Sequence, residues 1–197
     1  MDTKNLSIIR QSFANTVFTH KVHEVAAESQ EKNVFKVKMI NIVMVTLVLV
    51  LQQLQSWYPS NPLFSWIGSG ISVAEIIFLI FQLSFSFEQR AIMHKNTALK
   101  FMGLRDCYRL LIVDLMNEKL SANVLISSRN SLQREYQIIS EQAPQTGGKE
   151  YTEAQIRLNK RGEIKGEEFT WSDEEIDHFL PESLRMKSIS KDDKVRT

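Results

Sequence analysis

Cysteine is almost absent. The 197 residues contain one, Cys107, so no disulfide framework and no CxxC zinc cluster can form. Charge of one sign is lacking too. Lys and Arg number 24 against 23 Asp and Glu, a formal net charge of +1. A dedicated nucleic-acid binder needs a basic excess to neutralise phosphates, so no nucleic-acid partner is expected. There is no P-loop, no GxSxG and no HExxH, which leaves an enzyme without a reactive constellation. No catalytic residue, cofactor or metal is therefore expected. Repeats, low-complexity tracts and strand-like alternation of useful length are also missing. The four prolines, at 59, 62, 144 and 181, punctuate the chain rather than fill a linker.

The apolar residues are concentrated in one block. No charged residue lies between Lys38 and Glu75, and the next after Glu75 is Glu88. Two apolar runs, Met39 to Trp57 and Ile67 to Phe87, fill that block. Each is about 20 residues, and such a helix rises about 30 Å, the thickness of a hydrocarbon core. Between them Tyr58-Pro59-Ser60-Asn61-Pro62 favours a turn. Trp57, Tyr58 and Trp66 flank it, where amphipathic rings prefer the headgroup region. A signal peptide does not fit, because 38 residues precede the first run. The pattern predicts a transmembrane hairpin. The hairpin loop has no Lys or Arg, whereas Lys32, Lys36 and Lys38 precede the first span and Arg90, Lys95 and Lys100 follow the second. The positive-inside rule then puts both termini in the cytoplasm.

Helical patterning flanks the hairpin. Ile9, Phe13, Val17, Val22 and Val25 form a stripe on an otherwise polar segment that is expected to continue into the first span. Beyond the second span, His94, Ala98, Phe101, Arg105, Tyr108 and Leu115 lie on a 3-4 seam, with Ala91 and Ile112, expected to pack on the N-terminal helix. A break is expected near Asn117 to Asn123, then a helix from about Val124 to Gln142 bearing Leu132, Tyr136 and Ile139 on one face. Thr152 is expected to cap a short helix running through Leu158. Ser172-x-x-Glu175 is a capping box ahead of Ile176, Phe179 and Leu180, a helix that Pro181 ends. The charged last dozen residues are expected to fray. The fold class is an all-α membrane protein. Its parts are an N-terminal helix (1–37), the hairpin (38–88), a cytoplasmic helical region (89–143) and a C-terminal extension (144–197).

Glu75 is the residue that asks for an explanation. It lies nine positions beyond Trp66, about 13 Å into the membrane core, where a charged group costs about 3 kcal/mol or more. Gly68, Ser72, Glu75, Leu79, Gln82 and Ser86 share one helical face at 4-3-4-3-4 spacing. Asn41, Val45, Val48, Gln52 and Gln55 form a weaker match on the first span. These faces either line a pore in an oligomer or form a close, hydrogen-bonded helix contact. The spacing does not choose between them. His20 and His23 share a face but lack further metal ligands nearby. His94 reads as a packed histidine, His178 as surface, and Cys107 as a small helix-packing residue.

The order of several short motifs carries a family resemblance. They are Glu88-x-x-Ala91-x-x-His94-Lys95, Leu104-Arg105-Asp106-x-Tyr108-x-x-Leu111, Asp114 and Arg129-Asn130-x-Leu132. Ala143-Pro144-x-Thr146, Tyr151-x-x-Ala154-Gln155 and Glu174-Glu175-Ile176-Asp177-x-Phe179-Leu180-Pro181 follow. Over roughly residues 8 to 186 the chain resembles the SLATT domains, two-transmembrane effectors associated with SMODS nucleotidyltransferases and SLOG sensors in bacterial conflict systems. The resemblance implies an antiphage effector in the bacterial inner membrane, a homo-oligomer that perturbs the lipid bilayer when triggered. No nucleotidyltransferase, SLOG, TIR or reverse-transcriptase segment is present. The implied partner is thus a separate sensor or nucleotide-signal-producing protein encoded nearby. Arg105, Arg109, Arg129 and Arg134 are candidates to meet a phosphate-bearing signal, or ordinary helix salt bridges. The competing expectation is a membrane-anchored adaptor, whose helix around Ile176 and Phe179 would dock a partner or fold back on its own core.

Overall fold

The computed structural model describes residues 3–159 and 170–186. Among these residues the chain is helical throughout, with no strand. The elements in order are α1 (Thr3–Trp57), α2 (Leu63–Ser84), α3 (Phe87–Met116), α4 (Ala122–Gln142), α5 (Gly148–Arg157) and α6 (Asp173–Asp177), then a 3-10 turn at Glu182–Leu184. They form two compact units. One comprises the chain up to Ala26 and from Met93 onward; the other is Ala27–Ile92.

The first unit is a helical bundle with its own core. The α1 stripe supplies Leu6, Ile9, Phe13, Val17, Phe18 and Val22. Phe101, Leu104, Tyr108, Leu111, Ile112 and Leu115 of α3 complete the main contact. Burying side chains of this size contributes about 1.5–3 kcal/mol each, which outweighs the weak propensity of the open Gly103 within α3. The expected break after Met116 is present. Glu118 takes a positive φ of 53°, and Ser121 precedes α4 in extended conformation. Helix α4 adds Leu125 and Ile139.

The C-terminal segment folds back on this core. Trp171, Ile176 and Leu180 are all buried in it. The α6 capping box forms as the sequence requires: Ser172 Oγ accepts from Glu175 N–H, and Glu175 Oε2 accepts from Ser172 N–H at 2.9 Å. A buried cation fixes the dock. Arg10 is 1% exposed, and its guanidinium donates to Asp177 Oδ1 at 2.7 Å and to the Leu184 carbonyl at 3.2 Å. Gln11 exchanges two hydrogen bonds with the backbone of Trp171, as a neighbouring strand would. Thr152 is not a cap. Helix α5 starts four residues earlier, after Gly147, whose N–H donates to Glu150 Oε2 at 3.0 Å. Thr152 Oγ1 instead donates to the Gly148 carbonyl within the helix. The charged final dozen residues, 186–197, fall outside the described residues except for the first.

The second unit is the hairpin. The α1 helix runs without interruption from the polar N-terminal stripe into the first apolar run. The turn after Trp57 is closed by Asn61 N–H to the Tyr58 carbonyl at 3.1 Å, while Asn61 Oδ1 takes the Leu63 N–H. Helix α2 begins four residues before the expected span and ends three residues short of it. Phe85 is extended there, with φ −104° and ψ 95°. The α1 and α2 stretches are each long and apolar enough to cross a membrane, and none of their most apolar stretch is buried. A soluble hairpin would cover it. These residues need lipid in place of a protein core.

Candidate functional site

The hairpin has an inner and an outer face. The half-buried positions include Asn41, Met44, Val48, Leu51, Leu54 and Gln55 on the apolar run of α1, and Phe64, Gly68, Ile71, Ser72, Glu75, Phe78 and Gln82 on α2. Contacts between the two helices set their register. Gln55 Oε1 accepts from Ser65 N–H at 3.1 Å near the turn, and just past the far end of α2 Lys38 pairs with Glu88, in the first turn of α3, at 3.4 Å. At Gly68 a Cβ would stand 3.6 Å from Leu51 Cβ, so the small residue allows the close approach. The small residues around it leave an interhelical cleft of about 440 Å³ beside Gln52 and Gln55.

The polar stripe of α2 is therefore turned toward α1. The outer surface carries Ile42, Val43, Leu49, Ile76, Ile77 and Ile80, all exposed and apolar. The antiparallel register brings Glu75 level with Val48, an apolar stretch of α1, and brings Asn41 level with Gln82. Asn41 Oδ1 and Gln82 Oε1 are shielded and have no hydrogen-bond partner. An unmade hydrogen bond in so apolar a setting costs roughly 1–3 kcal/mol. The hairpin is thus polar inside, and its polar interior is incompletely satisfied.

Several stripe members lie elsewhere. Val45, Gln52 and Leu79 are exposed. The contact face of α1 advances 41-44-48-51-55 rather than 41-45-48-52-55, and a helical period of 3.6 permits either choice locally. Ser86 lies beyond the end of α2. Its carbonyl accepts from Arg90 N–H at 3.0 Å, so it opens α3 instead of extending the stripe.

The α3 seam belongs to the helical unit. His94, Ala98, Phe101, Tyr108 and Leu115 are buried. Arg105 is not. Its guanidinium turns to the flanking Asp106, at 2.9 Å, while Leu104 takes the core position beside it. Arg109 also leans on Asp106, and Arg129 donates to Asn5 Oδ1, so these three arginines are engaged in helix-surface contacts. Cys107 is exposed and not a packing residue. His178 is exposed.

A histidine pair is the feature that spacing alone missed. His23 of α1 and His94 of α3 meet at 3.1 Å, Nδ1 to Nδ1, and His23 stacks on Phe101. One ring donates and the other accepts. His20 Nδ1–H donates to the Ala98 carbonyl at 2.8 Å. Burial, followed by the nearby His94 and His20, lowers the pKa of His23 to about 4. Burial likewise raises Tyr108 to about 12. Two sequence stretches 71 residues apart supply the pair, so only their separate apolar seams hinted at it. Among the described residues no group of three or more His, Cys, Asp or Glu is arranged to hold a metal ion.

These features define a class: an all-α protein with a two-span membrane hairpin and a helical domain built from both flanks. The family can be named as well. Residues 6–175 match the SMODS and SLOG-associating 2TM effector domain family 4, and the chain belongs to that family. It is a membrane effector domain of the kind found in conflict systems. No curated protein and no solved structure matches the chain significantly.

Proposed function

We propose that the protein is an antiphage effector of the bacterial inner membrane. It oligomerises and forms a pore, or otherwise disrupts the bilayer, when a partner or nucleotide signal appears. Both termini face the cytoplasm, and a separate sensor or signal-producing protein supplies the trigger. The protein carries out no catalysis of its own. The observation that supports this reading is the half-buried polar stripe between the hairpin's two helices. A passive anchor has no use for Glu75 at mid-membrane or for unpaired amide oxygens at Asn41 and Gln82. The closed hairpin half-buries those groups and presents a mostly apolar surface to lipid. A conducting state needs the stripe exposed to water, so α1 and α2 must part or rotate. Gly68, Ser72, Glu75 and Gln82 would then line the path, with Asn41 and Gln55 from the other helix. The trigger must bind that state better than the closed one.

The test is membrane-potential dye uptake in cells expressing the triggered system. Leu51→Cys with Gly68→Cys places two Cβ atoms 3.6 Å apart, near the span of a disulfide. In a Cys107→Ser background that crosslink is expected to hold the hairpin closed and prevent depolarisation, with reductant restoring it. Glu75→Leu and Gln82→Leu are expected to alter depolarisation at equal expression. A locked hairpin that still depolarises cells sinks the opening mechanism. The adaptor reading expects Glu75→Leu to be tolerated. It has lost its docking helix, because Ile176 is already buried against the chain's own core.

A further inference from the structure

The exposed apolar face of α1 does not stop where the first apolar run begins. Met39, Val43 and Val50 lie on it, all exposed. Counting back along the same row at 3-4 spacing leads to Lys36 and then Lys32, and both are exposed as well. Phe35 stands beside them and is 66% exposed. It lies four residues before the apolar run opens at Met39, about 6 Å along the helix. The ring is thus on the lipid-facing side of α1, between two lysines, at the level where headgroups begin.

The charges at this end of the hairpin are unevenly used. Lys38 is spent on Glu88, at 3.4 Å. That contact brings the first turn of α3, and with it the exposed Arg90, to the same end. Among the described residues, the side chains of Lys32, Lys36 and Arg90 have no ion-pair or hydrogen-bond partner. Glu28 and Glu31 have partners of their own and lie beyond Lys32, on the side away from the span. The opposite end of the hairpin is different in chemistry. Trp57, Tyr58 and Trp66 mark it, and no Lys or Arg lies between them.

We propose that Lys32, Lys36 and Arg90 form a docking surface for anionic phospholipid headgroups, with Phe35 inserted among the headgroups between the two lysines. Lys32 and Lys36 are one helical turn apart, so both ammonium groups can donate to one phosphate. Arg90 adds a planar fork suited to phosphate oxygens. A phenylalanine beside cations on a lipid-facing helix surface buries its ring at the boundary of headgroups and acyl chains. Continuity with the lipid-facing row favours lipid over a protein partner. A surface that leaves the bilayer core through a phenylalanine and two cations meets headgroups first. Each cation near an anionic membrane surface is worth about a fivefold preference over a neutral one before screening. The contact fixes the depth and rotation of α1 in the membrane, whatever the hairpin does afterwards.

The experiment uses the full chain with Met39→Trp, Trp57→Phe and Trp66→Phe, reconstituted in phosphatidylcholine vesicles at low salt. Phosphatidylglycerol or phosphatidylcholine brominated on the acyl chain is included at equal mole fraction. Quenching of the new tryptophan reads which lipid rests against the row; Trp171, buried in the helical core, is a constant background. The anionic lipid is expected to be preferred by at least about fivefold. The preference is expected to fall to near unity in Lys32→Gln with Lys36→Gln and Arg90→Gln, all at exposed positions where the fold is undisturbed. Salt at about 1 M, where the Debye length is about 3 Å, is expected to do the same without touching a cation. The wild type, read through Trp57 and Trp66 at the other end, is expected to be quenched equally by both lipids. Equal quenching at Met39→Trp, a preference that survives the three substitutions, or an equal preference at the Trp57 end overturns the proposal. None of these readings involves membrane current, so failure of the pore mechanism and failure of this surface are separately visible.

Discussion

Acidification should unfold the helical unit through His23. The side chain is 5% exposed, and burial together with the neighbouring His94 and His20 lowers its pKa from 6.5 to about 4. In the unfolded chain the imidazole takes up a proton near pH 6.5; in the folded chain it resists until about pH 4. The unfolded state therefore binds more protons throughout that window, and stability falls as pH falls. Above pH 6.5 both states are neutral and the contribution is fully present. A difference of 2.5, from 6.5 to 4, amounts to about 3 kcal/mol when fully expressed below pH 4. At pH 5 roughly 2 kcal/mol is lost, a factor of about 30 in the folding equilibrium. Urea unfolding in nanodiscs at pH 7 and pH 5 measures it. Buried Trp171 reports on the core once the exposed Trp57 and Trp66 are replaced by Phe. His23→Phe keeps a ring against Phe101 and removes the titration, so most of the pH 5 loss should vanish in that variant. An equal loss in His23→Phe, or a wild type whose midpoint is flat between pH 7 and 5, refutes the reasoning.

Three further outcomes are expected. Arg10→Met leaves Asp177 buried without its partner and should destabilise the helical unit by about 3–5 kcal/mol; thermal melts of Arg10→Met, Asp177→Asn and the double variant would show strong coupling between the two sites. Gly103→Ala meets nothing within 4 Å and should stabilise α3 by up to about 1 kcal/mol, unless that face is covered in an oligomer, in which case crosslinking yield drops instead. Exposed Cys107, the only cysteine, should react with a membrane-impermeant maleimide after cell lysis and not before; labelling of intact spheroplasts would reverse the proposed orientation.

Much of this architecture is legible in the residues because the deciding physics is local. Thirty-six consecutive positions without charge, from Met39 to Ala74, have no ordinary place in water, and Pro59 and Pro62 force the chain to turn between the two runs. The stripe from Ile9 to Val25 and the seam from His94 to Leu115 announce two helices that need each other. The Ser172 capping box is a short-range hydrogen-bond pattern, and it forms where the sequence puts it. Helix ends were less legible. The start of α5 depends on Glu150 reaching back to Gly147, and the end of α2 on an extended Phe85, neither of which a hydrophobic period records.

The sequence by itself determined that there are two apolar spans, a polar stripe along the second, and apolar seams on the flanking helices, because each follows from periodicity within one segment. Only the tertiary structure decided what those faces touch. It turned the Glu75 stripe toward α1, left Arg105 and Cys107 outside the core, and drew the segment from Trp171 to Leu180 onto α1 around a buried Arg10. It also brought His23 to His94. Such contacts join residues 71 to 174 positions apart. Helical spacing fixes the neighbours of a residue along its own helix, but the packing of one helix on another selects among several faces of similar hydrophobicity, and that selection exists only once the chain is folded.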